Sequence, residues 1–414
     1  MNLKGLWNML ASAAIVFCFM SEAYGSGFGI FTQGASALGQ ADAVVAHTDE
    51  PSAIFFNPAL INSLPGTQIE VGTTLIYPSR EFTSDATGDT SKTDTDLFYP
   101  STFFITHTFN DKVSAGLGVF NPFGLATEWK DDWEGRYITT KAEVETYNFN
   151  PVVSYRVMPS VSIAAGIDFL LLDATLEKKI PLGPGLPDAG QKFSGDGDGI
   201  GYNLGILVNM TDSISLGVSY RSEIDVDIDG DVKFDLPDPS LTTMLPNTGG
   251  KTNITLPQQV FAGISFEVSD QLTAEVGLRW EGWSSYKELK IELDKPVGYP
   301  PQTYVTEEKD WHDTYAVNLG VKYRVNEIVS LLAGYLYGED PIPNSTFEPS
   351  VPDADSHLFC VGTDMEFNKL KIALSYAYQL LEERDKDNHV GGGTANGKYD
   401  SDLHMLGVSL VYGF

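Results

Sequence analysis

Arg221 and Arg279 stand at alternating positions of two strand-like segments, with Glu223, Glu275 and Glu281 close by in the chain. A guanidinium aimed into an enclosed space holds a carboxylate through paired, charge-assisted hydrogen bonds. Binding an anionic ligand is one use for these two residues; neutralisation by the neighbouring glutamates is the other. Catalysis finds no seat. The six histidines, His47, His107, His312, His357, His389 and His404, lie in neither a nucleophile context nor a His-Glu-x-x-His pattern. The chain is therefore read as no enzyme, with no cofactor and no metal site. The acidic runs 195–199 and 385–388 resemble calcium loops loosely, since the second lacks an acid at the twelfth position. They read as solvated loops, with divalent bridging to lipopolysaccharide left open.

Other groupings would shape an apolar path rather than a reaction. Asn121-Pro122-Phe123-Gly124 interrupts a strand-like stretch. Pro122 cannot donate to a ladder and Gly124 relaxes the backbone, so a kink or bulge is expected, unless Pro122 merely ends the strand at a loop. In hydrocarbon an unpaired backbone group is costly. A polar side chain must therefore cover such a break, and Asn57 of the Asn57-Pro58-Ala59 turn is the candidate. Trp129, Trp133 and Tyr137 fall in the outer loop that follows, either stacking on apolar ligands or forming an interface girdle.

These residues need a frame, and period-two alternation supplies it. Ile214, Leu216, Val218 and Tyr220 face away from Ser215, Gly217, Ser219, Arg221 and Glu223. Similar stripes run through 272–281, 315–323 and 370–379, and through the last stretch to Phe414, whose apolar face is Leu406, Val408, Leu410, Tyr412 and Phe414. In the four internal stripes the charges avoid the apolar face, as a lipid-facing surface demands. Tight turns are expected at 110–111, 158–160, 211–212, 269–270, 326–327 and 368–369. Long loops are expected near 83–96, 125–140, 178–200, 230–252, 286–310, 338–356 and 382–400. Thirteen connections imply about fourteen strands: an all-β, transmembrane antiparallel barrel over 67–414, with strands long enough to rise above the outer leaflet.

The ends and the charge agree with this. Lys4 precedes an apolar run, 9–20, too short to span a bilayer, and Ala23-Tyr24-Gly25 offers a small-residue cleavage site, so 1–25 reads as a secretory signal. Residues 26–66 fit no strand. Their small-residue pattern at 34–43 suits short helices, and a fourteen-stranded lumen has room for them as a plug, or hatch. A net charge of −30 repels phosphate backbones, so no nucleic-acid partner is expected. The expected partners are a hydrophobic small molecule, outer-membrane lipid and lipopolysaccharide, and the barrel assembly machinery acting through the terminal Phe414. A monomer is expected.

Along nearly the whole chain after the signal, the sequence resembles the outer-membrane long-chain fatty-acid and hydrocarbon transporters of the FadL/TodX type. The resemblance rests on Gly39-Gln40-Ala41, Asn57-Pro58-Ala59-Leu60, Asn121 through Trp129, Gly135-Arg136-Tyr137, Trp280-Glu281-Gly282-Trp283-Ser284 and Pro352-Asp353-Ala354-Asp355, in that order. It departs at Ser356, where many relatives carry Arg. The resemblance implies a hatch inside the barrel and a sideways exit for hydrophobic cargo. It also implies that Phe28, near the start of the hatch, reaches into the substrate pocket, where it is either displaced on binding or simply packed. A general diffusion porin or a structural, adhesive barrel is the alternative.

Overall fold

The computed structural model describes residues 27–94 and 97–414; the expected signal segment lies outside the described residues. Fourteen strands follow one another round a ring. They are β1 (Thr67–Ser84), β2 (Ser101–Thr108), β3 (Val113–Phe120, resuming as Gly124–Glu128), β4 (Lys141–Met158) and β5 (Val161–Ile180). Next come β6 (Ala189–Thr211), β7 (Ile214–Arg221 and Ile224–Asp235), β8 (Thr248–Leu256 and Gln259–Ser269) and β9 (Leu272–Glu281 and Glu288–Val297). The ring ends with β10 (Gln302–Glu308 and Thr314–Arg324), β11 (Val329–Gly338), β12 (Ser356–Phe367), β13 (Leu370–Leu381) and β14 (Gly397–Gly413). Each pairs antiparallel with its successor, and β14 returns to β1 with Leu406 opposite Leu75. Closure of the ring removes the two terminal edges that an open sheet would expose, the condition for a sheet to stand in lipid.

All six expected tight turns join strands at one end of the ring. The other end rises higher than anticipated. Much of the stretches expected as loops near 178–200, 230–252 and 286–310 is strand: β5 and β6 run 20 and 23 residues, and Glu288–Val297 pairs with Gln302–Glu308 as an extended hairpin. Above the membrane both faces of a strand can be polar, so the apolar stripe that marks a strand in lipid disappears. On the outside, apolar Tyr147, Leu171 and Ile200 give way to Glu145, Asp173 and Asp198 at similar height, which marks the upper edge of the lipid belt. One orientation differs from expectation. β7 breaks at Ser222-Glu223, the alternation changes phase, and Glu223 is exposed instead of facing the lumen.

Residues 27–66 lie inside the ring, as their contacts with strands on every side require. Ala35 N–H donates to Ser409 on β14 (3.0 Å), Ser36 to Asp364 on β12 (3.0 Å), and Asn318 on β10 to the Ala41 carbonyl (2.8 Å). Glu275 on β9 accepts from the N–H groups of Val45 (2.6 Å) and Ala46 (3.0 Å) and meets His47 Nδ1 at 2.7 Å. Two short helices form, α1 (Ala35–Gly39) and α2 (Ala53–Phe56), then a 3-10 turn over Pro58–Ser63. Pro58 holds Asn57 in extended conformation, and the Asn57 side chain accepts from Ala59 N–H at 3.1 Å, capping the turn that Pro58 opens.

The strands admit the hatch because their inward positions are small where it touches them. A Cβ on Gly217 would collide with the Val45 carbonyl, and one on Gly334 with the Gln40 backbone. Gly217→Val is therefore expected to leave a folded barrel, seen as heat-modifiable electrophoretic migration, while pushing the hatch off the wall. Steady conductance in planar bilayers should rise well above that of the parent protein; unchanged conductance would show that the contact is dispensable.

Candidate functional site

The ring has an interruption where the sequence placed one. Between Phe120 and Gly124, β3 advances four residues while β4 advances three, from Asn148 to Glu145, so β3 carries a bulge. On its other side β3 parts from β2 after Phe120. No ladder among the described residues joins Gly124–Glu128 to β1 or β2. The seam is tied instead by Arg80 Nη1, which donates to the Ala126 carbonyl at 2.6 Å and to Thr127 Oγ1 at 3.0 Å, and higher up by Asp94 N–H to the Glu128 carbonyl at 2.8 Å.

The orphaned backbone of the bulge is satisfied, though not by Asn57. Ile30 N–H donates to the Pro122 carbonyl (2.8 Å) and Gly124 N–H to the Phe28 carbonyl (2.9 Å), so the start of the hatch pairs with the break like a short strand. Gln33 Nε2 donates to the Asn121 carbonyl (2.7 Å), and Thr146 Oγ1 accepts from Phe123 N–H (3.1 Å) while donating to its carbonyl (2.6 Å). The Asn121 amide donates to the Thr146 carbonyl. Asn57 lies elsewhere, fully buried, donating to the Val45 and Ile206 carbonyls at 2.9 and 3.1 Å. Gln33 and Thr146 were missed by sequence reasoning. The signal available for Thr146 was its place in the inward polar row Thr146, Asn148, Asn150.

A cavity of about 640 Å³ passes through this interruption, within the roughly 300–1,000 Å³ usual for small-molecule sites. Inside the ring it is bounded by Arg279, Leu336, Leu358 and Met405; at the wall by Pro78, Phe98, Asn121 and Phe123 to Ala126; outside by Tyr99 and Tyr147, both exposed. A second, smaller cavity of about 110 Å³ lies among the tops of β4 to β10, lined by Leu172, Phe193, Ile228, Ile254 and Ile291. Phe28, Leu125, Val144 and Val351 line both cavities and so form the partition between them. Phe28 is buried there against the rings of Trp283 (4.6 Å between centroids), Trp311 (5.7 Å) and Phe123 (6.2 Å).

The remaining expected residues have other settings. Trp129 and Trp133 stack face to face at 4.3 Å and are buried, each indole N–H on a backbone carbonyl, as the core of their own loop with Phe82 and Tyr399 nearby. They line neither cavity and do not face lipid. Tyr137 joins Arg136 in gripping Asp188 of the neighbouring loop. Arg221 is ion-paired with Asp168, an acid the sequence reading did not select, and packs over Phe55 and Phe120. Arg279 pairs with Glu281 at 3.1 Å and covers the Phe31 ring at 3.5 Å. Arg279 thus has a neighbouring glutamate as partner, whereas Arg221 is paired with Asp168 rather than with any of the three glutamates. Asp49, Glu50 and Asp364 converge as metal ligands would. Ammonium groups stand among them: Lys371 lies 2.8 Å from Asp49 and 2.7 Å from Glu50, and Lys322 2.8 Å from Asp364.

Because Gln33 covers the break with one buried side chain, Gln33→Leu leaves the Asn121 carbonyl unsatisfied at a cost of about 1–3 kcal/mol. Hydrogen exchange at the Ile30 and Gly124 amides should quicken accordingly, with the β5–β6 amides unchanged. Exchange that is uniform across the barrel, or unaltered, would contradict this assignment.

A family model described as outer membrane protein transport protein (OMPP1/FadL/TodX) matches residues 16–414. The long-chain fatty acid transport protein of Escherichia coli O6:H1 (strain CFT073) is 26% identical over 91% of this chain and 92% of its own. Among solved structures, a Pseudomonas aeruginosa FadL homologue superposes with a TM-score of 0.84 at 19% identity, covering 94% of this chain and 100% of its own. The Pseudomonas putida toluene transporter TodX gives 0.76 at 17% identity, covering 94% and 99%. With its closed fourteen-stranded ring and a family match that runs to the last residue, this chain belongs to the outer membrane transport proteins of the OMPP1/FadL/TodX family.

Proposed function

We propose that the protein carries hydrophobic small molecules, long-chain fatty acids or hydrocarbons, from the outer surface into the outer-membrane bilayer by lateral exit through the β3 interruption. One observation carries the reading: the larger cavity continues from the lumen to lipid-facing Tyr99 and Tyr147 through the only stretch of wall that the hatch, rather than a neighbouring strand, completes among the described residues. Cargo collects in the upper apolar cavity, displaces Phe28 from the partition, and leaves past Pro78 and Ala126.

Energetics favour that route over release into the periplasm. Moving about fourteen methylenes out of water gains about 11 kcal/mol at about 0.8 kcal/mol each, and only a path that ends in lipid keeps it. The hatch, 26–66, blocks the axial path, which argues against a general diffusion porin. The protein works as a monomer among outer-membrane lipid and lipopolysaccharide, with Phe414 at the end of β14 as the handle for the assembly machinery. Removal of residues 1–25 precedes all of this.

Phe28→Glu sets a charge in the partition and is expected to cut uptake of a radiolabelled long-chain fatty acid in a receptor-deficient host by about tenfold or more, given the cost of burying an unpaired carboxylate. The amount of heat-modifiable folded barrel should not change. Ala126→Trp, which fills the wall opening, should do the same. Parallel loss of uptake and of folded barrel in both variants would reduce Phe28 and Ala126 to packing roles, and large steady conductance by the parent protein would favour a porin.

A further inference from the structure

An amphiphilic cargo raises a question that a hydrocarbon does not: what meets its anionic head inside a low-dielectric wall. A buried carboxylate needs a cation or several donors, or it will not enter. The cations lining the two cavities are mostly committed. In the upper cavity Lys141 lies 3.2 Å from Glu128, Lys178 3.3 Å from Glu307, and Lys309 2.9 Å from Glu348. In the larger cavity Arg279 is held by Glu281.

Arg80 is the exception. It lines the larger cavity at the wall opening, where its neighbours in alternation, Pro78 and Phe82, fix its inward face. Both of its hydrogen bonds leave from Nη1, toward Ala126 and Thr127, while Nε is buried with no partner. Among the described residues no carboxylate lies within 4.0 Å of it. Asp353 lines the same cavity but accepts the Gly27 N–H at 2.6 Å. Burial, with Asp340 close by, holds the Asp353 carboxyl well above the usual range; it lies beyond ion-pair distance of Arg80 and acts on it only through the longer-range field. A guanidinium that lines the path of a ligand, with no carboxylate at ion-pair distance, marks a binding position.

We propose that Arg80 is the anion-recognition residue of the wall opening, taking the carboxylate of an amphiphilic monocarboxylic acid on its guanidinium as the acyl chain passes into lipid. This rests on the lateral-exit reading above. It separates the two cargo classes within one pathway: an acid is read at Arg80, whereas a hydrocarbon passes it unrecognised.

The test compares oleate with hexadecane, a cargo of similar chain but no head, in a receptor-deficient host, with uptake normalised to heat-modifiable folded barrel. Arg80→Gln should lower oleate uptake by about tenfold, the usual scale for losing a charge-assisted hydrogen bond, and lower hexadecane uptake by a clearly smaller factor. Arg80→Lys, which keeps the charge, should recover part of the oleate uptake. Equal loss for both cargoes would make Arg80 a structural tie across the seam and overturn the proposal, as would undiminished oleate uptake in Arg80→Gln. A parent protein that takes hexadecane but not oleate would overturn it while sparing lateral exit; one that takes neither would sink both.

Discussion

Every peptide group at the depth of the hydrocarbon must find its hydrogen bond within the protein, and the architecture follows from that constraint. Thirteen sequential pairings and one return from β14 to β1 satisfy nearly all of the wall. At Asn121–Gly124 the neighbouring strand withdraws, and the hatch makes good the difference with the backbone of Phe28 and Ile30 and the side chain of Gln33, helped by Thr146 on β4. A hole in a membrane wall is tolerable only when something polar lines it. The hatch and the break in β3 are thus one feature seen from two sides.

The same logic governs the charges inside the ring. Glu275 acts as a cap for the Val45 and Ala46 amides of the hatch, and Lys322 and Lys371 gather Asp49 and Glu50 of the hatch with Asp364 of the wall. A buried charge stripped of its partner is strongly destabilising, so such contacts specify where the hatch sits more than they add to stability. Outside, Asp173, Asp196 and Asp229 stand opposite one another across β5, β6 and β7. Like charges facing each other disfavour pairing, but above the lipid they are solvated and screened, and the long strand ladders outweigh them.

How far the sequence could be read depended on what surrounded each segment. Where lipid lay on one side, as at Leu272–Glu281 or Leu370–Leu381, alternation was unmistakable, and every tight turn fell where a Pro, Asn, Asp or Ser broke the stripe. Residues 195–199, Gly-Asp-Gly-Asp-Gly, alternate just as strictly, yet with water outside and the close approach of β7 inside they resembled a loop. The bulge was legible because Pro122 carries its own prohibition. Its cover was not, since alternation cannot tell which buried amide of the hatch reaches it: the Asn57 amide bonds elsewhere, and that of Gln33 meets the break. Arg80 escaped notice for the opposite reason, because a lone arginine becomes informative only when its partners can be counted.

The account stands or falls on where cargo leaves the barrel. A long-chain fatty acid bearing a diazirine near its terminal methyl, photolysed on the protein in bilayers and mapped by mass spectrometry, reports the path directly. Lateral exit predicts adducts at Phe28, Leu125, Tyr99 and Tyr147, tracing the cavity from the partition to the lipid face. Adducts confined to the hatch near Asn62 and Leu64, at the short-turn end of the ring, with none at Tyr99 or Tyr147, would mean that cargo runs along the axis and would contradict it.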